Sequence, residues 1–170
     1  MNNEYFDKNE DICYSKLVAF NDSNHYFTKI DRQPPKSEID AMATGANNST
    51  YAIELKWREN YDLNKNNSGY FIENDKGFTG DTIFIESHKL TSLYLSMVYD
   101  HRLPLYINFF KNGYTTVHNL LTLNKKPEQS KEMKIKSKGY EKFEIAKRYL
   151  LPIDDSAIFD DKNNLQQRQN

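Results

Sequence analysis

Three residues in the first third of the chain have types and a spacing that could do chemistry together: Asp40, Glu54 and Lys56. Glu54 and Lys56 stand two apart within 51–58 (YAIELKWR). Alternation at a period of two marks a strand, so Tyr51, Ile53, Leu55 and Trp57 take one face and Ala52, Glu54, Lys56 and Arg58 the other. Carboxylate and ammonium thus leave the same face, as they would also in an ordinary solvated pair. Asp40, just after Glu38-Ile39, supplies a second carboxylate. A turn over 45–49 (GANNS) can fold a strand at 37–43 back beside 51–58, and Asp40 and Glu54 then converge. Two converging carboxylates suit a hard divalent cation such as magnesium, which takes oxygen ligands and keeps several waters.

The surrounding pattern supplies the elements that must hold these residues. Ile12, Cys13, Leu17 and Phe20 recur at helical spacing, which predicts a first helix over 9–20, stopped by the polar run 21–24. Strands are expected at 25–30, 37–43 and 51–58. Residues 60–80 are polar and Gly/Asn-rich and read as an insertion or long loop. A short strand at 82–86 (TIFIE) leads into the strongest helical stripe, Leu90, Leu93, Tyr94, Met97 and Val98, over 87–100. Residues 105–110 and 114–123 flank Asn112-Gly113 and read as a hairpin. Residues 125–138 read as a charged loop, and 160–170, with one apolar residue, as a frayed tail after a single domain over 1–159. The order helix, strands, helix, strands predicts an α/β fold, a mixed sheet flanked by helices.

Asp40, a 13-residue spacer and then Glu54-Leu55-Lys56 resembles the Asp…Glu-x-Lys signature of the PD-(D/E)xK nuclease superfamily, which includes restriction endonucleases and Holliday-junction resolvases. Ile39-Asp40 stands where many members have Pro-Asp. Ile83 to Leu90 and the following LPLYINFFKNG are also similar to small phage and bacterial members. The resemblance implies a restriction endonuclease-like α-β-β-β-α-β core with an added C-terminal β-hairpin. It implies hydrolysis of DNA phosphodiester bonds by a metal-activated water, with Mg2+ or Mn2+ as cofactor, and in many members a homodimer. It further implies Asp40 and Glu54 as metal ligands, the Leu55 carbonyl as a third, and Lys56 beside the attacking water. Two nearby carboxylates favour a charged ammonium, so Lys56 suits orienting water and stabilising phosphate charge better than acting as a base. Glu10 falls where many such nucleases carry an extra acid, or is a solvent-facing helical residue. Glu86 is an accessory acid of the metal site or a carboxylate suited to the helix N-terminus. Lys89, in the first helical turn, can hold a phosphate beside free N–H groups or be a plain surface lysine.

Arg58 shares the Glu54 face and is a candidate phosphate contact. Residues 125–148 hold nine basic against four acidic residues, and Lys131, Lys134, Lys136 and Lys138 are candidates for a backbone-binding arm or a solvated loop. The four histidines, His25, His88, His101 and His118, lack ligand spacing and read as structural or surface residues. Across 170 residues the formal net charge is -1, which excludes nucleic-acid or membrane binding by bulk charge and leaves only local patches. No apolar run is long enough to span a bilayer, the opening MNNEYFDKNE lacks a signal-peptide pattern, and the single Cys13 cannot form an internal disulfide. The expectation is a cytoplasmic protein of a bacterium or a phage-infected cell. Two rival readings use the same residues. One is a nuclease-like fold that grips DNA or a protein partner without cutting. The other is an interaction protein whose Asp40 and Glu54 lie apart as ordinary surface charges.

Overall fold

Cys13, Leu17 and Phe20 recur at i, i+4 and i+7, and all three are buried against one face of a mixed sheet. A computed structural model describes residues 3–35, 37–124, 126–130, 133–136 and 143–169, without side-chain surroundings for 3–7, 133–136 and 143–146. The first helix, α1, runs Asn3–Asn24, longer at both ends than the apolar stripe predicted. His25 at φ 55° closes it in the left-handed region. The Asn21 side chain then clamps the turn, donating to Phe27 O and accepting from Phe27 N.

Strands β1 (Phe27–Arg32), β2 (Ala41–Gly45) and β3 (Thr50–Arg58) form an antiparallel meander. The meander β4 (Tyr61–Asn66), β5 (Gly69–Asn74) and β6 (Thr79–Gly80) follows, then β7 (Thr82–Glu86) and α2 (Ser87–Asp100). Strand β8 (Leu103–Phe110) returns parallel to β3, with Glu54 opposite Tyr106 and Lys56 opposite Asn108. The order α1-β1-β2-β3-α2-β8, with four short strands inserted before α2, is the α-β-β-β-α-β order of the predicted core. Strand β9 (Thr115–Asn119) forms the expected hairpin with β8. Next come β10 (Glu128–Gln129), β11 (Met133–Lys136), β12 (Phe143–Ala146), β13 (Arg148–Pro152), β14 (Ala157–Phe159) and β15 (Leu165–Gln167). The large sheet has the order β1-β2-β3-β8-β9-β14-β15, and β7 joins β10 and β13 in a smaller one.

Several expectations change. Residues 60–80 are a meander rather than a loop, because Leu63, Tyr70 and Ile72 give it an apolar face buried under the sheet. Residues 133–136, expected in a loop, pair with 143–146 as a hairpin. Residues 160–169 are not a frayed tail: β15 pairs with β14, and the Gln169 side chain bonds both Asn119 N and Asn119 O. The strand expected at 37–43 starts only at Ala41.

Strand β3 is buried on both faces. Ile53 and Leu55 pack under α1, while Ala52 packs with Leu90, Leu93 and Tyr106 under α2. A central strand between β2 and β8 has no solvated face, so Glu54 and Arg58 are only 4% and 6% exposed. Among the described residues, no helix is long and apolar enough to cross a membrane.

Candidate active site

At Asp40 the β2–β3 ladder opens. The Asp40 N–H still donates to Ile53 O, and its carbonyl accepts from Gln33 N. One step further along β3, the Asp40 carboxylate takes the place of a strand carbonyl and accepts from the Leu55 N–H at 2.7 Å. The N–H and C=O of one strand residue leave on the same edge. The Leu55 carbonyl is therefore directed to the same edge, beyond Ala41, the first β2 residue. A cavity of about 270 Å³ opens there, lined by Glu10, Cys13, Asp40, Glu54, Leu55, Lys56 and Lys89 among others. That volume suits an ion with its waters and a phosphate group better than an enclosed nucleotide.

Lys89, in the first turn of α2, places Nζ 2.9 Å from Glu54 Oε2 and 3.6 Å from Asp40 Oδ1, and 3.4 Å from Glu38 O. The two carboxylates thus both face one ammonium. The approach to Glu54 Oε2 is an ion pair off the hydrogen-bonding direction, since that oxygen is buried with no hydrogen-bond donor. Burial and the Asp40 charge push the Glu54 carboxyl up to about 8. Burial works against the Lys89 charge, but Glu54 and Asp40 outweigh it and hold the ammonium above its ordinary value. The two shifts fit one picture: a single ammonium facing two carboxylates, one of which keeps its proton until mildly alkaline pH.

Lys56 lines the same cavity as Asp40 and Glu54. Its Nζ lies 3.2 Å from Glu86 Oε1, at the strand end leading into α2. Burial alone would raise the Glu86 carboxyl, yet Lys56, helped by Arg58, holds it below its usual range. Glu86 is therefore the partner of Lys56. Glu10 lines the cavity from α1.

Arg58 is corrected outright. Its guanidinium donates to Asn108 Oδ1, Phe84 O and Tyr106 Oη and stacks on the Phe84 ring, so it is a buried tie between β3, β7 and β8 and reaches no phosphate. Lys131 and Lys138 lie outside the described residues, and Lys134 and Lys136 are placed only as backbone in β11. Cys13 reaches the cavity wall, with its thiol pushed up to about 12 by burial and the Asp40 charge, and so stays neutral. His118 is buried with Nε2 3.0 Å from Pro152 O, and burial pushes it down to about 4. Arg32, on the cavity wall and ion-paired to Asp11, was missed because nothing in its local pattern sets it apart.

Among the described residues, no group of three or more His, Cys, Asp and Glu side chains forms a metal cluster. The donors present are two carboxylates and one carbonyl, all hard oxygens. Magnesium is commonly held by one or two carboxylates with retained waters, and Glu54 Oε2, buried and with no hydrogen-bond donor, is met only by the Lys89 ammonium. The residues fit the metal.

No protein-family model matches the chain. No curated protein matches it either. Among solved structures it is similar to Hjc of Archaeoglobus fulgidus, a Holliday junction resolvase from an archaeal hyperthermophile. The identity is 11% and the TM-score 0.46, over 82% of this chain and 86% of that one. At that score and identity the likeness says nothing about which side chains act.

Proposed function

We propose that this protein is a divalent-metal-dependent nuclease that hydrolyses DNA phosphodiester bonds. The observation that carries this reading is the meeting of Asp40 and Glu54 where β2 leaves β3, with Lys56 and Lys89 on the same cavity wall. Asp40, Glu54 and the Leu55 carbonyl would hold Mg2+ or Mn2+. When bound, the ion polarises the phosphodiester and lowers the pKa of a coordinated water. Glu86 tethers the Lys56 ammonium at the cavity, where it orients water and offsets the negative charge that builds on the phosphate. Cys13 stays a neutral buried thiol, and this reading uses water as the nucleophile, without a covalent intermediate.

The test is cleavage of supercoiled plasmid, a four-way junction, single-stranded DNA and RNA by purified protein with Mg2+ or Mn2+. Wild type should cut at least one DNA substrate. Glu54→Gln should lose several kcal/mol of transition-state stabilisation, on the order of a thousandfold or more in rate. If wild type binds DNA but leaves every substrate intact with either metal, the non-cutting reading replaces this one.

A further inference from the structure

Lys89 occupies the space between the two carboxylates that the metal reading assigns to an ion. In a helix first turn the free N–H groups disfavour a cation, and α2 has no acidic residue in that turn and no side-chain cap. Even so, the Lys89 ammonium is turned inward and four-fifths covered, against Asp40 and Glu54. Building on the metal-dependent reading above, we propose that Lys89 is the displaceable counter-ion of the metal site. It neutralises the carboxylate pair while no metal is bound, and the incoming divalent cation must evict it.

Charge explains why both cannot stay. The Lys89 ammonium stands against the same carboxylate oxygens that a divalent cation would take from Asp40 and Glu54. An ammonium left within contact distance of both carboxylates would face a divalent cation at the same oxygens, an unscreened like-charge repulsion in a covered site. The exchange is therefore one metal ion in and the Lys89 side chain turned out to the cavity mouth. Lys56 takes no part in it, because its own partner is Glu86.

The proposal is tested on DNA-free protein by Mn2+ binding, followed by electron paramagnetic resonance and calorimetry. Lys89→Met should bind Mn2+ roughly 10–100-fold more tightly than wild type, the scale on which surrounding groups tune metal sites. Lys56→Met should leave the affinity within about threefold on the same scale. A second measurement on unmutated protein guards against misfolding of the variant. The ¹³C signal of reductively methylated Lys89 should move towards that of a solvated lysine as diamagnetic Mg2+ saturates the site. Equal or weaker Mn2+ binding by Lys89→Met, or a Lys89 signal that ignores Mg2+, overturns the counter-ion role while the metal site stands. Failure of wild type and every variant to bind Mn2+ overturns the metal reading and this proposal with it.

Discussion

Glu54 is a carboxyl 4% exposed, with Asp40 beside it and one shared ammonium. Its ordinary value is 4.5 and its folded value about 8. Between those pH values the folded protein keeps a proton that the unfolded chain gives up. Its stabilising contribution is therefore complete below pH 4.5 and is lost as the pH climbs towards 8. Thermal melts in chelator should show the midpoint falling across this window more steeply for wild type than for Glu54→Gln, and saturating Mg2+ should flatten the wild-type curve. Matching wild-type and Glu54→Gln profiles in chelator would remove Glu54 as the titrating group. Lys56 and Glu86 make a separate pair, with separable consequences. Lys56→Ala should lower cleavage by about 10²–10³, as for removal of one preorganised charge-stabilising donor, with Mn2+ affinity retained. Glu86→Gln should cost less, because the ammonium stays and only its tether is weakened. Single-turnover rates decide between these outcomes.

At the level of elements, the opening of β2 from β3 depends on one side chain. The Asp40 carboxylate is the acceptor for the Leu55 N–H. Asp40→Ala should leave that amide without a partner and destabilise by about 1–3 kcal/mol. Asp40→Asn keeps an acceptor oxygen and should cost far less, while both abolish metal binding. Urea unfolding with the metal chelated separates the two effects. This substitution of side chain for backbone is also why the sequence misplaced β2. Periodicity sees Ser37–Ala43 as a candidate strand, but which residue hands its ladder position to a carboxylate is set by register, and register is tertiary. Strand β7 and helix α2 were legible to their ends, since a short β-branched run meets a helical stripe there. Val98 departs from the stripe, 57% exposed, because the buried face swings to Ser96. That Asp40, Glu54 and Lys56 share one cavity was legible by spacing, but the pairing of their charges was not. Lys89 and Glu86 are far from Glu54 and Lys56 in sequence, and only the docking of α2 against β3 selects which ammonium meets which carboxylate. Arg58 was misread for a related reason: alternation puts it on the Glu54 face, and nothing local reveals that Tyr106, Asn108 and Phe84 close over it.

For the whole molecule, both faces of β3 are occupied, and among the described residues the cavity is the opening onto Asp40 and Glu54 that a nucleic acid would use under the proposed function. With a formal net charge of -1, any affinity for nucleic acid must come from local basic groups. Replacing Lys131, Lys134, Lys136 and Lys138 together by Gln should weaken DNA binding and flatten its salt dependence, by about 0.9 in slope for each phosphate that is no longer neutralised. An unchanged slope would assign that segment to solvent. Arg58→Met, by contrast, should leave the slope unchanged, because the guanidinium is spent inside the fold. The central claim, that Asp40, Glu54 and the Leu55 carbonyl hold a divalent cation, is tested most directly by anomalous diffraction from a crystal soaked in Mn2+. The predicted result is a peak bounded by those three groups, with Lys89 Nζ turned away from Glu54. No peak there at saturating Mn2+, with Lys89 still seated between the two carboxylates, would contradict it.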